Sequence, residues 1–183
     1  MKIIQAPNVL LAKQAKKINK IDKDILTLIE DMKKTLLTAS DPEGVGLAAP
    51  QVGKSLQLFL VKVDNDTPFH IFINPEVTLV EQKILPSKKL ATKKPTRLEG
   101  CLSLKDIWGT VHRATKVRVK YLDEKGKLHD KVFNGFSATI IQHEQDHLHG
   151  ILFPKRVLEQ KGKLYKSHKD EHGEDVFDPL KLA

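Results

Sequence analysis

Residues 142–147 read QHEQDH and contain the pattern H-E-x-x-H, around which we expect the rest of the chain to be organised. Residues four apart lie on the same face of a helix, so His143 and His147 can direct their rings at one metal ion. Glu144 can reach a water at that ion and take its proton. Because so short a pattern also arises by chance, an exposed helix with two unrelated histidines remains the alternative.

The residues around this motif predict that it lies on one helix, from residue 137 to about residue 148. Ser137 can cap the N-terminus, and Gly150 is typical of the residue that follows a helix end. Apolar side chains occur along the same segment at Phe136, Ile140, Ile141 and Leu148. We therefore expect the helix to pack in the core, with both histidines directed towards the interior.

The composition is that of an ordinary globular protein with one domain. The chain has 183 residues, of which 40% are hydrophobic and 30% charged. No apolar run approaches the roughly 20 residues of a membrane span, and residues 1–7 lack the apolar core of a signal peptide. We therefore expect a cytoplasmic protein with no membrane association, and a monomer as the default oligomeric state.

The net charge of +8 would suit an acidic partner such as nucleic acid or a ribosome surface. However, the lysines are spread along the whole chain, and aromatic residues make up only 5%. The sequence therefore lacks the aromatic and basic stripe that stacks on bases. A solvated basic surface is favoured, with no specific nucleic acid partner and with a ribosome contact left open.

Periodic patterns predict the remaining elements. Residues 19–39 read as an amphipathic helix that Asn19 or Asp22 could cap. Strands are predicted over residues 56–63, 70–73, 76–80, 116–122 and 128–133. Residues 123–126 predict a hairpin turn between the last two strands. The fold class is therefore α+β, a single domain with antiparallel strands packed around the central helix that carries the H-E-x-x-H motif.

Two segments are predicted to lie outside this core. Residues 83–97 are rich in lysine and contain two prolines, which favours a long surface loop. The end of the chain, residues 166–183, is polar and lysine-rich, which favours a surface tail or a loosely attached short helix. We therefore expect a catalytic domain over residues 1–165 and a polar C-terminal tail over residues 166–183.

Two histidines leave a catalytic metal without the third protein ligand that such sites use. The protease pattern H-E-x-x-H-x-x-G-x-x-H is matched as far as Gly150, but Phe153 stands where the third histidine should be. A helical His149 would face away from the site. Cys101 follows a glycine that allows a sharp turn, and a thiolate with two imidazoles suits a borderline divalent metal. A small buried hydrophobe is the other interpretation of a lone cysteine, and Glu171 or Glu174 in the polar tail could also supply the ligand.

A glycine-rich stretch, GVGLAAPQVG, occupies residues 44–53. Its glycines let the backbone turn tightly and approach another group closely. It lacks the Lys-Ser/Thr pair of a phosphate loop and the third glycine of a dinucleotide motif. Gln51 is the polar side chain at its centre. It is either an exposed amide on a tight connection or an amide donor presented to a substrate.

Three motifs in one order resemble those of peptide deformylases: GVGLAAPQ at residues 44–51, EGCLS at residues 99–103 and HEQDH at residues 143–147. The similarity extends from the opening residues to about Phe153. The resemblance implies metal-dependent hydrolysis of the N-terminal formyl group from formyl-methionyl peptides of newly made proteins, with release of formate. A zinc hydrolase of another type and a basic RNA-binding protein with a structural metal are the rival hypotheses.

The resemblance also implies a role for each matching position. Cys101, His143 and His147 would bind the metal, typically Fe²⁺ and replaceable by Zn²⁺ or Ni²⁺. Glu144 would be the general acid and base, and Gln51 and the backbone N–H of Leu102 would bind the formyl oxygen. Further substrate contacts are expected at Val45, Gly46, Leu47, Glu99, Gly100 and Ile140, with Ile140 as a wall of the apolar methionine pocket.

Further residues near these motifs have roles that the sequence leaves open. Arg113 and Asp146 either form an ion pair or are unrelated surface charges. After Ser103 the family often has a proline and then an arginine near the substrate, whereas Lys105 and Trp108 stand in that stretch here. Trp108 either lines the substrate groove or simply packs. Glu99, besides contacting substrate, is expected to orient a metal ligand.

Overall fold

A computed structural model describes residues 1–40, 43–64, 66–81 and 98–181, so the loop predicted over residues 83–97 lies outside the described residues. The helices are α1 (Lys23–Leu37), α2 (Gly135–Leu148) and α3 (Phe153–Glu159), with short 3-10 turns at Val9–Ala12 and Ala49–Val52. The strands are β1 (Gly46–Ala48), β2 (Leu58–Val61), β3 (His70–Glu81), β4 (Glu99–Cys101), β5 (Leu104–Gly109), β6 (Lys116–Leu122), β7 (Leu128–Asn134), β8 (Leu164–Lys169) and β9 (Asp175–Pro179). No helix among the described residues is long and apolar enough to span a membrane.

Helix α2 lies against a five-stranded antiparallel sheet with the order β1-β2-β3-β6-β7. The apolar side of the helix, with Ala138, Ile140 and Ile141, packs in one cluster with sheet residues such as Phe72 and Val119. Full burial of one such aliphatic or aromatic side chain contributes about 1.5–3 kcal/mol. The predicted α+β domain, with antiparallel strands around the helix that bears the motif, is confirmed.

The ends of α2 differ in how well the sequence predicts them. Ser137 is not the cap: the chain passes from the last residue of β7, the extended Asn134, directly into a helix that starts at Gly135. The predicted end is confirmed, because Gly150 has a φ of +69° and its N–H donates to the carbonyl of His147 over 3.1 Å. Glycine adopts this left-handed conformation without steric cost.

Helix α1 covers the other side of the β1-β2 edge. Asp22 caps it, since its side chain accepts a hydrogen bond from the N–H of Ile25 over 3.1 Å. The buried side chains Ile29 and Met32 pack in a second cluster with Leu58 and Leu60 of β2. Strand β2 is thus packed between two helices, which fixes the neighbouring strand β1 beside the middle of α2.

Strand β3 is continuous, although the sequence predicts a break at Asn74-Pro75. Asn74 has a φ of +49°, and the register with β6 shifts between Ile73 and Glu76, so the irregularity is a bulge. The Asn74 side chain accepts a hydrogen bond from the N–H of Ile18 and donates one to its carbonyl, both over 2.8 Å. These bonds stabilise the bulge, at which a proline without an N–H is tolerated.

A second sheet has the order β4-β5-β8-β9, and it corrects the prediction for the C-terminal segment. Residues 164–179 form an antiparallel hairpin rather than a tail or a short helix. Strand β8 pairs with β5, with Trp108 opposite Tyr165. A domain limit at residue 165 therefore falls inside β8, and the side chains Val176 and Phe177 of this polar segment are half-buried.

Candidate active site

Three buried side chains meet between α2 and β4. His143 and His147 lie on consecutive turns of α2, with ring centroids 5.0 Å apart, and Cys101 ends β4. Their ligand atoms all lie within 4.8 Å of one another, and the Sγ of Cys101 is 3.3 Å from Nε2 of His147. The expected burial of both histidines is confirmed, with exposed fractions of 9% for His143 and 1% for His147.

The orientation of His143 is set by Glu99. The Nδ1 atom of the histidine donates to the Glu99 carboxylate over 2.7 Å, which leaves Nε2 for an ion. Arg113 donates two further hydrogen bonds to the same carboxylate, over 2.7 and 3.1 Å. Burial would raise the pKa of Glu99, but the hydrogen bonds and positive charges of His143 and Arg113 lower it to about 2. Glu99 is therefore an anion that orients the imidazole. Although burial opposes it, contact with Cys101 and Glu99 raises the pKa of His143 well above its ordinary value, so an ion at Nε2 would displace a proton from this ring.

Arg113 and Asp146 form a buried ion pair, over 2.6 Å, with both side chains 8% exposed. On its other side, Asp146 accepts a hydrogen bond from Arg156 of α3 over 2.7 Å. Arg113 thus joins Glu99 on β4 to Asp146 on α2. The sequence analysis does not single out Arg156, since a charge ten residues from its partner on another helix leaves no local pattern.

His149, Glu171 and Glu174, the alternatives to Cys101 as third ligand, lie away from this cluster, and position 153 holds a phenylalanine where the protease pattern has a histidine. Phe153 is 1% exposed, and its ring stacks on His143 at a centroid distance of 6.2 Å. His149 is exposed at the end of α2, and Glu171 and Glu174 are exposed on the C-terminal hairpin. Phe153 therefore fills space behind the first histidine, where the protease pattern has a ligand.

The donor set fits a divalent ion of borderline softness. One thiol and two imidazoles are ligands that Zn²⁺ and Fe²⁺ accept, and three protein ligands are typical of catalytic sites. Burial lowers the pKa of His147 well below its ordinary value, which favours the neutral imidazole that binds metals. The Nδ1 of His147 and the Oε2 of Glu144 are buried and have no hydrogen-bond partner among the described residues.

Glu144 faces the glycine-rich stretch. Burial, opposed by the charge of His143, raises the pKa of Glu144 to about 7, so this carboxyl group can exchange a proton near neutral pH. A Cβ atom added to Gly46 would be 2.8 Å from Cγ2 of Ile140 and would also overlap the Glu144 carboxylate. Only glycine allows β1 to pass this close to α2.

Gln51 lies on the 3-10 turn that follows β1, and its amide is directed at Cys101. Its Oε1 accepts a hydrogen bond from the N–H of Ala48 over 2.8 Å, which fixes the amide orientation. Its Nε2 donates to the Oγ of Ser103 over 3.2 Å and approaches the Sγ of Cys101 at 3.6 Å. The N–H of Ser103 also donates to this sulfur over 3.4 Å. Ser103 is a site residue that sequence reasoning quotes only as part of a motif.

The other residues expected to contact substrate differ in how deeply they are buried and in what they pack against. Ile140 is buried against Gly46, and the half-buried Val45 packs on the same cluster. Leu102 is also half-buried but packs on the cluster that contains Leu47. The side chain of Leu47 is fully buried in the core, so only its backbone faces the site. Gly100 is covered by the ring of Trp108, at 2.7 Å from an added Cβ. Trp108 therefore packs on this strand.

Two histidines one turn apart and a glutamate between them are the arrangement of H-E-x-x-H metallohydrolases. The sulfur of Cys101, where the related proteases have a third histidine, distinguishes this centre within that class. A metal-dependent hydrolase on an α+β domain is the class of protein that this fold and this site define.

Comparison with known proteins identifies the family. The family model for polypeptide deformylase matches residues 1–163. Peptide deformylase 1 of Bacillus cereus is 40% identical over 157 residues, 86% of this chain and 92% of that protein. Solved peptide deformylases from Thermotoga maritima and from Synechococcus elongatus, the latter in complex with actinonin, both give TM-scores of 0.71. Their identities are 33% and 34%, over 85% of this chain and 95% and 79% of theirs.

The chain therefore belongs to the polypeptide deformylase family, whose members are metal-dependent hydrolases that remove the formyl group from nascent peptides.

Proposed function

We propose that this chain deformylates formyl-methionyl peptides at the cluster formed by Cys101, His143, His147 and Glu144. The observation that carries the proposal is the convergence of three metal-binding side chains within 4.8 Å of one another. The amide of Gln51 is directed at the same sulfur. An ion bound by the three side chains would lower the pKa of a water and polarise the formyl oxygen. Proton transfer, stabilisation of the formyl oxygen and substrate binding are the roles of residues of the chain.

Glu144 is the group that moves the proton. Its pKa of about 7 supports both directions of transfer near neutral pH. It accepts a proton as the water oxygen attacks the formyl carbon, and it returns this proton to the amine nitrogen as the C–N bond breaks. The second proton of the water leaves with ionisation of the formic acid and is taken up by the released amine, so the products are the formate anion and a peptide with a protonated amino group, and atoms and charges balance.

Gln51 and the backbone N–H of Leu102 stabilise the negative charge that develops on the formyl oxygen. The hydrogen bond from Ala48 holds the Gln51 amide with its N–H groups towards the site before substrate arrives. A donor that is oriented in advance stabilises the transition state without reorganisation. Losing one such donor typically costs about 3–4 kcal/mol.

The peptide would lie along the outer edge of β1. This strand ends the five-stranded sheet, so its edge away from β2 can accept an extended chain. Gly46 has no side chain to keep the peptide from Glu144. Ile140 supplies an apolar wall for the methionine side chain, and Val45, Leu47, Glu99 and Gly100 complete the proposed contacts.

The bound ion is proposed to be Fe²⁺, with Zn²⁺ or Ni²⁺ as substitutes. A thiolate with two imidazoles supports this choice, because it suits borderline divalent metals rather than Mg²⁺ or Ca²⁺. Thiolate and ferrous iron are both easily oxidised, so the iron form requires anaerobic preparation. Metal analysis of protein purified anaerobically tests the assignment, and a resident Mg²⁺ or Ca²⁺ would contradict it.

The proposed setting is the cytoplasm, with a monomer that contacts ribosomes transiently. Nascent peptides as substrates and a net charge of +8 support this setting. Co-sedimentation with ribosomes should decrease as salt is raised, since charge-driven contacts are screened. Sedimentation of the protein alone should give a mass near the 20.7 kDa of one chain.

Formate release from formyl-Met-Ala-Ser, with metal measured on the same sample, tests the function. The metal-loaded protein should release formate, and Cys101→Ser should lose metal and activity together. Full retention of metal by Cys101→Ser would contradict the ligand set and favour a zinc hydrolase of another type. Metal without formate release would favour a structural site in a binding protein.

A further inference from the structure

The strand that carries Cys101 is short and lies at a sheet edge. Strand β4 has three residues, and among the strands that the structure describes it pairs with β5 alone. On its far side β5 pairs with β8, so half of the strands in this sheet belong to the C-terminal hairpin, β8 and β9. The whole of this hairpin follows residue 163, where the match to the family model ends.

Trp108 connects the hairpin to the residue before Cys101. It pairs with Gly100 across β4 and β5, and its ring lies on the Gly100 backbone, 2.7–3.1 Å from an added Cβ. The indole Nε1 donates to the Oγ of Ser167 over 3.0 Å. The ring of Phe177 meets the indole edge-to-face at a centroid distance of 5.6 Å. Trp108 is therefore fixed by two contacts from the hairpin.

The hairpin also reaches Cys101 from the opposite face of the sheet. Leu164, on β8, packs in one buried cluster with Cys101, Phe153 and Val157. The segment Gly100-Cys101 is thus covered on one face by Trp108 and on the other by this cluster. The cluster includes Leu164 of the hairpin, and Trp108 is held by Ser167 and Phe177 of the hairpin.

We infer that the C-terminal hairpin, acting through Trp108, positions the Cys101 thiol for the metal. The inference rests on the proposed function, because it requires that Cys101 bind the ion. The hydrogen bonds to the Cys101 sulfur and the ion pair of Glu99 act on side chains of β4, whereas the backbone at Gly100 is covered by Trp108. Metal sites need ligands held to a fraction of an ångström, so the position of this backbone matters. Trp108, Ser167 and Phe177 are positioning residues, since none of them belongs to the ligand cluster.

The test compares Phe177→Ala and Ser167→Ala with Val176→Ala. Val176 is half-buried on the same strand as Phe177, but alternation along a strand directs it to the other face. Each protein is titrated with Co²⁺ alone, and the near-ultraviolet band from thiolate to cobalt is recorded. Phe177→Ala should weaken Co²⁺ binding by about 10- to 100-fold, the usual effect of losing a residue that supports a ligand. Val176→Ala should leave affinity and band unchanged.

A role limited to stability predicts a different result. Phe177→Ala would then lower the free energy of unfolding, but the folded protein would bind Co²⁺ as tightly as the unaltered chain and with the same band. That result overturns the inference. Ser167→Ala, which removes one hydrogen bond and little volume, decides the matter if Phe177→Ala does not fold, because it should weaken Co²⁺ binding in the same direction.

The two proposals fail in distinguishable ways. If the unaltered protein shows no band from thiolate to cobalt, Cys101 is not a ligand and the proposed function fails together with the inference. If the unaltered protein shows the band and deformylates its substrate while Phe177→Ala and Ser167→Ala match it in affinity, only the positioning role is contradicted. In the expected case kcat decreases in the hairpin variants at limiting metal, and KM for the peptide changes little.

Discussion

The Oε1 atom of Glu99 lies 2.7 Å from the Nδ1 atom of His143, although the two residues are 44 positions apart in sequence. The carboxylate fixes both the tautomer and the ring orientation of the histidine, as carboxylates beside metal-binding histidines commonly do. Arg113 holds the carboxylate through two hydrogen bonds and is itself bound to Asp146 on α2. His143, one of the three proposed ligands, is therefore oriented by a chain of charged side chains that connects β4 to α2.

Replacing Glu99 with alanine should weaken metal binding by about 10- to 100-fold, the usual effect of removing such a partner. The variant leaves His143 without its acceptor and Arg113 without one of its anions. Glu99→Gln should lose less, because its amide oxygen can still accept from Nδ1. Competition with a chromophoric chelator measures both affinities, and equal affinities for Glu99→Ala and the unaltered chain would contradict the orienting role.

Gly46→Ala should abolish most of the activity while metal content stays unchanged. The new methyl group would overlap the Glu144 carboxylate and lie 2.8 Å from Ile140, so the proton-transferring group must shift. Gly173→Ala is the control for a glycine substitution away from the site: its φ of +78° adds backbone strain that Gly46→Ala does not have, but nothing lies within 4 Å of an added Cβ. Formate release and metal analysis on both variants check this, and an active Gly46→Ala would show that the close approach is dispensable.

Gln51→Leu should lower kcat/KM by the equivalent of about 3–4 kcal/mol, or roughly 100- to 1000-fold, because one donor to the formyl oxygen is lost. Leucine is apolar and one carbon shorter, so the contacts of the amide with Ser103 and with the Cys101 sulfur are lost as well, and metal content is measured on the same sample. Initial rates at several peptide concentrations give the change. A rate close to that of the unaltered chain, at equal metal content, would remove Gln51 from the proposed mechanism.

Asp146→Asn should destabilise the fold by about 1–3 kcal/mol, since Arg113 and Arg156 each lose a charged acceptor while Arg113 keeps the Glu99 carboxylate. Asp130→Asn is the matched control, because its pair with Arg118 is exposed, and such pairs contribute about 0–1 kcal/mol. Unfolding in urea measures both free energies. Similar small losses in the two variants would indicate that the buried network contributes no more than a surface pair.

Local patterns were sufficient for much of the fold. The hairpin β6-β7, helix α1 and the end of α2 follow from alternation, helical periodicity and Gly150, all of which act within a few residues. Strand β4 has three residues and its pairing with β5 depends on a tight turn, so it leaves no periodic signal. The hairpin β8-β9 is half-buried only because β5 lies beside it, and a polar sequence alone cannot show that.

In the site, too, local patterns predict some features, while others depend on contacts between distant segments. His143 and His147 are related by helical spacing, and both are buried as predicted. The contacts that orient them join distant segments: Glu99 to His143 and Arg113 to Asp146. Sequence reasoning names these charges but leaves the ion pair undecided, because pairing across 33 positions is a property of the packed fold.

The most direct test of the account is the rate of formate release by Glu144→Gln, divided by bound metal and compared with that of the unaltered chain. The variant keeps the size of the side chain and the three proposed ligands but cannot move the proton. It should retain its metal and lose about 10²- to 10⁴-fold in rate, the usual contribution of a general acid and base. Formate release per bound metal ion at the unaltered rate would contradict the account.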